Sequence, residues 1–474
     1  MVFSDPIFLF LFLPVSIAAI IFARGLMHNI TVLIVSFLFY YYSAGSIIFL
    51  LIVSVILNYC CGLFIGSING AKVKERIVIF NILTNLSLLA YFKYAYFVTE
   101  SISFILPIID SGLFANIILP IGISFFTFQG ISYVVDVYRG HIEPDRNPIR
   151  FAAYLTFFPQ LIAGPIVRYS DVASDFASPN ITKENMAAGA TRFFHGLAKK
   201  VLVADTAGRV ANACFAMSPD ETTSVAVFIG ALAYTIQIYF DFSGYSDMAI
   251  GISRFCGINL LENFNRPYTS STVTEFWRRW HISLSSWFRD YLYIPLGGSR
   301  HGNTKTYRNL VIVFIVTGLW HGAAWTFVFW GVYHGTLLIV ERRIWGREAA
   351  NQSGSLLRPL YLLPVIIIGW IFFRAEGLDQ AFGFVSTLAA VWAPDAFVIP
   401  VNLRVLLDPF TLSVLALGTT SFFANGRESF GSQIISRVGL RDSSAQLAYL
   451  IVAGSVSVIM VLASDFSPFL YFQF

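Results

Sequence analysis

The stretch Trp320–Gly335, WHGAAWTFVFWGVYHG, carries two histidines and three tryptophans without a single charged side chain. Imidazole nitrogens need hydrogen-bond partners, and hydrocarbon offers none. The rings therefore either pack with satisfied nitrogens or do chemistry where water is scarce. Outward from this stretch, Arg308 lies on one side and Arg342–Arg343 on the other, with only Glu341 charged between them. Two complete membrane crossings need about 40 residues plus a turn, more than this interval holds. Gly318, Gly322 and Gly331 weaken a single continuous helix. The spacing predicts a broken or re-entrant helix pair with both basic ends on one side. A helix from Arg308 puts His321 roughly 20 Å along its axis, at mid-membrane depth. Irregular backbone at that depth requires surrounding protein or a cavity.

Composition sets the solvent. Of 474 residues, 56% are hydrophobic and 12% charged, whereas soluble domains carry about a quarter charged residues. Length alone suggests two or three soluble domains, but no hydrophilic stretch is long enough to be one. The expectation is one all-α, polytopic integral-membrane domain over residues 1–474. Four cysteines show neither metal-ligand spacing nor a disulfide framework, so no metal is expected. At the N-terminus, MVFSDPIFLFLFLPVSIAAIIFARG places Asp5 before its apolar run and Arg24 after it. That reverses the charge order of a secretory leader and reads as a retained first span.

Hydropathy predicts helices near residues 7–23, 30–44, 46–66, 77–97, 113–136, 222–240, 357–373, 409–424 and 445–463. Arg24, then Lys72, Lys74 and Arg76, then Arg139, Arg146 and Arg150 follow alternate spans. All three clusters fall on the cytosolic side if the N-terminus is periplasmic. Met186–Ala204 reads as an amphipathic helix, with Arg192, Lys199 and Lys200 among Phe193, Phe194, Leu197 and Val201. Such a helix lies in the membrane interface or packs on the bundle from the cytosol.

Two further segments interrupt the apolar pattern. In YFDFSGYSDMAIG (239–251), Asp241 and Asp247 must be paired, protonated or facing a wet cavity. Structural glue and a functional cavity are equally good readings there. In TVTEFWRRWHISLSSWFRDYLYIPLGG (272–298), Thr272 and Glu275 are spaced as a capping box. One helix is expected from there to Pro295, with His281 on the apolar face of Trp277, Leu284 and Phe288. From Arg266 to Arg308, seven Lys and Arg residues stand against Glu275 and Asp290 alone. That basic face suits phosphates, with Arg278, Arg279, Arg289 and Arg300 as candidates to bind a phosphorylated donor. Arg278 and Arg279 could equally anchor the helix to lipid headgroups.

With these motifs in place, the chain resembles the membrane-bound O-acyltransferase family, most closely its alginate-acetylating bacterial branch. The resemblance runs through LPIGISFFTFQGISYVVDVYRG (119–140), FFPQLIAGPIVR (157–168) and YFDFSGYSDMAIG to EFWRRWHISLSSWFRDYLYIPLGG and GLWHGAAWTFVFWGVYHG. It covers about residues 1–375, and residues 376–474 match in hydropathy alone. The resemblance implies a ring of helices with re-entrant segments around a central catalytic tunnel. His321 matches the family's catalytic histidine, and His281 its second polar position. Trp320, Trp277, Asp241 and Asp247 are candidates to line the cavity or orient a ring, and His334 reads as structural.

Acyl transfer from a thioester to a hydroxyl needs a base and a donor to the oxyanion, and neutral imidazole is the usual base near pH 7. The expected roles are His321 as base and His281 orienting the donor or stabilising charge. No Ser or Cys nucleophile adjoins either histidine, which favours direct transfer. The resemblance implies no bound cofactor, acetyl-CoA as donor substrate, and membrane lipid as surroundings. It also implies the bacterial inner membrane and a periplasmic acetyltransferase partner that serves an exported polysaccharide. Alginate leads; cellulose, another exopolysaccharide or D-alanyl transfer are alternatives. No nucleic-acid partner is expected. A transporter without chemistry would explain the cavity and basic rim equally well, but not both histidine motifs.

Overall fold

The computed structural model describes residues 3–106, 112, 114–218, 221–346, 358–422, 443–463 and 469–470. Every regular element among them is helical, as the hydropathy predicts. The chain divides into two compact units, Met1–Phe193 with Ser246–Glu262, and Phe194–Tyr245 with Asn263–Phe474.

The first unit holds α1 (Leu13–Phe22), α2 (Leu26–Ala44), α3 (Ile48–Ser67), α4 (Ala71–Ile105), α5 (Ile123–Tyr138), α6 (Pro148–Thr156), α7 (Phe158–Leu161) and α8 (Tyr169–Ala177). Most of α9 (Lys183–Ala198) belongs to it as well. A span was expected over 113–136, but α5 begins only at Ile123. Gly122 is the reason: its φ is +75°, and a Cβ there would sit 2.4 Å from the Leu161 carbonyl oxygen. Only glycine fits that backbone at no cost. Every side chain from Ile123 to Val137 is buried, so α5 is enclosed by protein. Close approach of α3 to α5 depends on Gly130, which faces the Asn58 amide, and Gly62, which faces the Tyr133 ring. Asn58 in turn accepts from Asn81 (2.9 Å) and Asn85 (3.1 Å) of α4, so buried amides satisfy one another.

Before α6, Asp145 is held by Arg150 through two bonds of 2.6 Å and by the Tyr169 hydroxyl. Burial pushes the Asp145 carboxyl up, but the bonds from Arg150, Tyr169 and the Asn147 amide outweigh it and leave it below the ordinary carboxylate value. Arg150 therefore belongs to a structural ion pair.

In the second unit follow α10 (Asp205–Phe215), α11 (Ser224–Phe255, whose last turns belong to the first unit), α12 (Val273–Arg279), α13 (Ile282–Phe288), α14 (Gly302–His321) and α15 (Trp325–Trp345). Then come α16 (Leu363–Arg374), α17 (Leu378–Ala389), α18 (Val401–Leu406), α19 (Pro409–Ser421) and α20 (Ser443–Ala463). The run Leu26–Ser67, α4 and α11 are each long and apolar enough to cross a membrane. The polar segment 239–251 lies inside the continuous helix α11 and does not end it.

The amphipathic reading of 186–204 holds for Phe193, Leu197 and Val201, which are buried, and fails for Lys200. Residues 199–204 form a π-turn, and its extra residue slips the helical register. Lys200 consequently points inward, only 3% exposed, and pairs with Asp205 (2.6 Å) and Asp241 (3.0 Å).

The 320–335 stretch is a broken helix pair, as its length requires. α14 ends at His321, Gly322–Ala324 turn, and α15 packs back along α14. Glycines make the contact: a Cβ on Gly318 would lie 2.2 Å from the Phe327 carbonyl oxygen, and one on Gly331 2.3 Å from that of Phe314. Residues that weaken a lone helix are the ones that let two helices touch.

Candidate active site

His281 does not lie on a continuous helix. Thr272 caps α12 by accepting the Glu275 amide (3.1 Å), and Glu275 answers at the Ser271 amide (2.9 Å). The helix then stops at Arg279, and His281 adopts φ +43° as the first residue before α13. A left-handed non-glycine residue costs about 1–2 kcal/mol and persists only where its surroundings hold it. Here an extended segment does so. Asn265 N–H donates to the Arg279 carbonyl and Ile282 N–H to the Asn263 carbonyl, both at 2.9 Å.

The same asparagine fixes the imidazole. Asn263 Oδ1 accepts from the Ser283 amide (3.2 Å) and hydroxyl (2.9 Å), so the oxygen, not the amide nitrogen, faces His281. His281 Nδ1 lies 3.1 Å from that oxygen and must donate to it. In the neutral ring the lone pair then resides on Nε2, which is buried and has no hydrogen-bond partner among the described residues. His281 thus presents an acceptor.

His321 is the last residue of α14, 4% exposed. Trp330 (5.3 Å between ring centroids) and Phe373 (5.1 Å) stand edge-on to it. Trp320 touches both histidines, at 4.9 Å from His321 and 5.9 Å from His281. Phe242 adds an edge to His281 at 4.7 Å. The two imidazoles therefore share one indole inside an apolar enclosure, where any polar contact made by a substrate is strengthened.

Trp277 lies elsewhere than expected. With the helix broken, it faces Phe314, Trp330 and His334, not His281. His334 is 1% exposed and sits among Trp277, Trp330 and Tyr333. The α12 N-terminus is anchored by Glu341, a fully buried carboxylate that accepts from Val273 N (2.6 Å), Thr274 N (2.8 Å) and the Tyr361 hydroxyl (2.9 Å). Negative charge at the start of a helix is favourable.

Asp241 pairs with Lys200 and accepts the Leu470 amide at 2.7 Å, and Phe469 stacks on Tyr245 at 4.6 Å. The end of the chain, which sequence matched in hydropathy alone, thus reaches the residues beside His281. Asp247 is held by Arg192, which also binds Glu262. Of the four basic candidates, Arg279 pairs with Glu275 (2.5 Å) and Arg289 with Asp290 (2.6 Å). Arg278 and Arg300 are exposed and form no ion pair among the described residues.

A model of the membrane-bound O-acyltransferase family matches residues 37–373, an interval that contains both histidines. The chain belongs to that family. Along its full length it is 40% identical to the full length of a protein of Azotobacter vinelandii named "Probable alginate O-acetylase AlgI". It is 36% identical to the peptidoglycan O-acetyltransferase of Helicobacter pylori, over 80% of this chain and 78% of that one. The teichoic acid D-alanyltransferase of Bacillus subtilis is 32% identical over 47% of this chain and 59% of its own. As a membrane-bound O-acyltransferase, this protein is a multi-pass membrane enzyme. Sequence reasoning missed Asn263 and Glu341, whose partners lie 18 and 68 residues away along the chain.

Proposed function

We propose that this acyltransferase takes an acetyl group from acetyl-CoA at the cytosolic face of the bacterial inner membrane. It hands the group to a periplasmic acetyltransferase partner that acetylates an exported polysaccharide, alginate. The observation that carries this reading is the pair of buried imidazoles joined by Trp320, in a chain 40% identical from end to end to a protein named for alginate acetylation. His321 acts as general base, taking the proton of the attacking hydroxyl as its oxygen bonds to the thioester carbonyl carbon. The C–S bond then breaks, and the proton passes from His321 to the departing thiolate. His281 orients the donor. Its Nε2 lone pair suits an N–H or O–H of the donor and not an oxyanion, because Nδ1 holds the proton. Arg278 and Arg300, exposed and free of ion pairs among the described residues, offer positive charge to the donor's phosphates. The Helicobacter pylori relative supports a second acceptor class, a wall polymer.

One strain tests both the base and its alternative as a packing residue. General-base catalysis is worth about 10²- to 10⁴-fold. His321→Ala should therefore abolish polymer acetylation while membrane abundance and thermal midpoint stay normal. Normal acetylation would remove His321 from the mechanism, and loss of the protein itself would make the ring a packing residue.

A further inference from the structure

Beside His321 the second unit contains polar groups that neither histidine uses. Arg374 ends α16, immediately after Phe373, whose ring touches His321. Its guanidinium lies over the Phe215 ring at 5.3 Å and donates one bond, from NH2 to Asn212 Oδ1 at 3.1 Å. Among the described residues it forms no ion pair, and its buried Nε has no hydrogen-bond partner. Tyr234 packs on the same Phe215 ring at 6.0 Å between centroids. That tyrosine is fully buried, and its hydroxyl is also without a partner among the described residues. Three residues on along α11, and so on the same helix face, Gln237 leaves a buried Oε1 unsatisfied. Gly208 of α10 lets Gln237 approach: a Cβ there would lie 2.7 Å from its Nε2.

Buried donors are almost always satisfied, and a partly buried cation without a counter-charge is costlier still. A guanidinium with an open Nε edge, packed on the same phenyl ring as an unused hydroxyl, suits a carboxylate or phosphate oxyanion. Position decides whose oxyanion it is. α14 and α15 carry Lys305, Arg308, Arg342 and Arg343 at the end away from the hairpin turn. Arg374 lies at the turn end, about 20–25 Å distant at the rise of an α-helix. A donor held by phosphates at the basic end would not extend its charge to Arg374.

We propose that Arg374 and Tyr234 form a subsite for an anionic group of the acyl acceptor, beside His321, with Gln237 Oε1 free to accept from a donor hydrogen of that acceptor. The assignment of donor and acceptor ends rests on the proposed function above. Guanidinium and hydroxyl grip the oxyanion, and Asn212 and Phe215 hold the guanidinium in place.

Binding to the purified full-length chain tests this without donor or turnover, so a chain that transfers no acetyl group can still pass or fail. Calorimetric titration would compare trigalacturonate as a carboxylate probe, its carboxyl-reduced neutral counterpart and a glycerol phosphate trimer as a phosphate probe, the two anions standing in for the charged group of the partner that accepts the acetyl. One anion should bind about tenfold or more tighter than the neutral sugar, the size of a charge-assisted bond. Tighter trigalacturonate points to a carboxylate-bearing acceptor, and tighter glycerol phosphate to a phosphate-bearing one. Arg374→Gln should erase the preference and Tyr234→Phe should weaken it, with Tyr234→Phe carrying the test if Arg374→Gln fails to fold. Equal binding of all three ligands, or a preference that survives the substitutions, overturns the subsite.

Discussion

Asn263 does for His281 what a carboxylate does for many catalytic imidazoles. It selects the tautomer and holds the ring, and it does so without charge, so the ring stays neutral more readily. Misplacing a reacting group by about 1 Å can cost about 10²-fold in rate. Asn263→Ala should therefore reduce turnover by that order while His321 remains in place. Asn263→Asp separates positioning from packing. A carboxylate can still accept from Nδ1 and the Ser283 amide, but its charge favours the imidazolium and raises the histidine's pKa. A ring that must present a free Nε2 is active only when deprotonated. The acidic limb of the pH–rate profile should consequently move to higher pH in Asn263→Asp. An unmoved profile at normal rate would show that His281 takes no part in the reaction.

At the scale of elements, the α14–α15 hairpin sets where His321 sits, and the hairpin exists because glycines face carbonyl oxygens across it. A Cβ at Gly331 meets the Phe314 carbonyl oxygen at 2.3 Å, and backbone cannot swing aside as a side chain can. Overpacking of this kind costs about 1–3 kcal/mol. Gly331→Ala should lower the thermal midpoint and, by splaying the pair, reduce activity. Gly383 in α17 is the control, since a Cβ there meets nothing within 4 Å. Gly383→Ala should hold or raise the midpoint, because alanine is the better helix former by about 1 kcal/mol. Equal responses at the two sites would mean that the close approach in the hairpin contributes nothing.

Over the whole molecule, the placement of basic residues makes a prediction about orientation. By the positive-inside rule, the loops that hold Arg24, Lys72, Lys74, Arg76, Arg139 and Arg146 are expected in the cytosol and the N-terminus in the periplasm. Arg150 drops out of that argument, because Asp145 neutralises it within the fold. Lys72 is exposed at the start of α4, while Cys61, Cys214 and Cys256 are buried. With Cys60 changed to Ser, a Lys72→Cys chain should resist a membrane-impermeant thiol reagent in intact cells and label after lysis. Ready labelling in intact cells would invert the topology.

Much of this architecture is legible in the sequence because it follows from local rules. Apolar runs long enough to become helices, the Thr272–Glu275 cap and the interval too short for two crossings each depend on neighbours a few residues apart. The pairing of motifs around His281 and His321 likewise carried the family. What the sequence could not supply is which polar group meets which. The helix pattern through Trp277 and His281 is unbroken in period, yet the chain turns at His281, because Asn263 and Asn265 offer it better hydrogen bonds than a continued helix would. Lys200 belongs to the polar face by period and to the interior in fact, since a π-turn shifts its register and two aspartates neutralise it. Arg374, Tyr234 and Asn212 lie on three different helices and share no motif. Helix formation is decided by nearby residues, whereas the satisfaction of buried charge is decided by whatever the fold brings within about 3 Å, and only the tertiary structure brings it there.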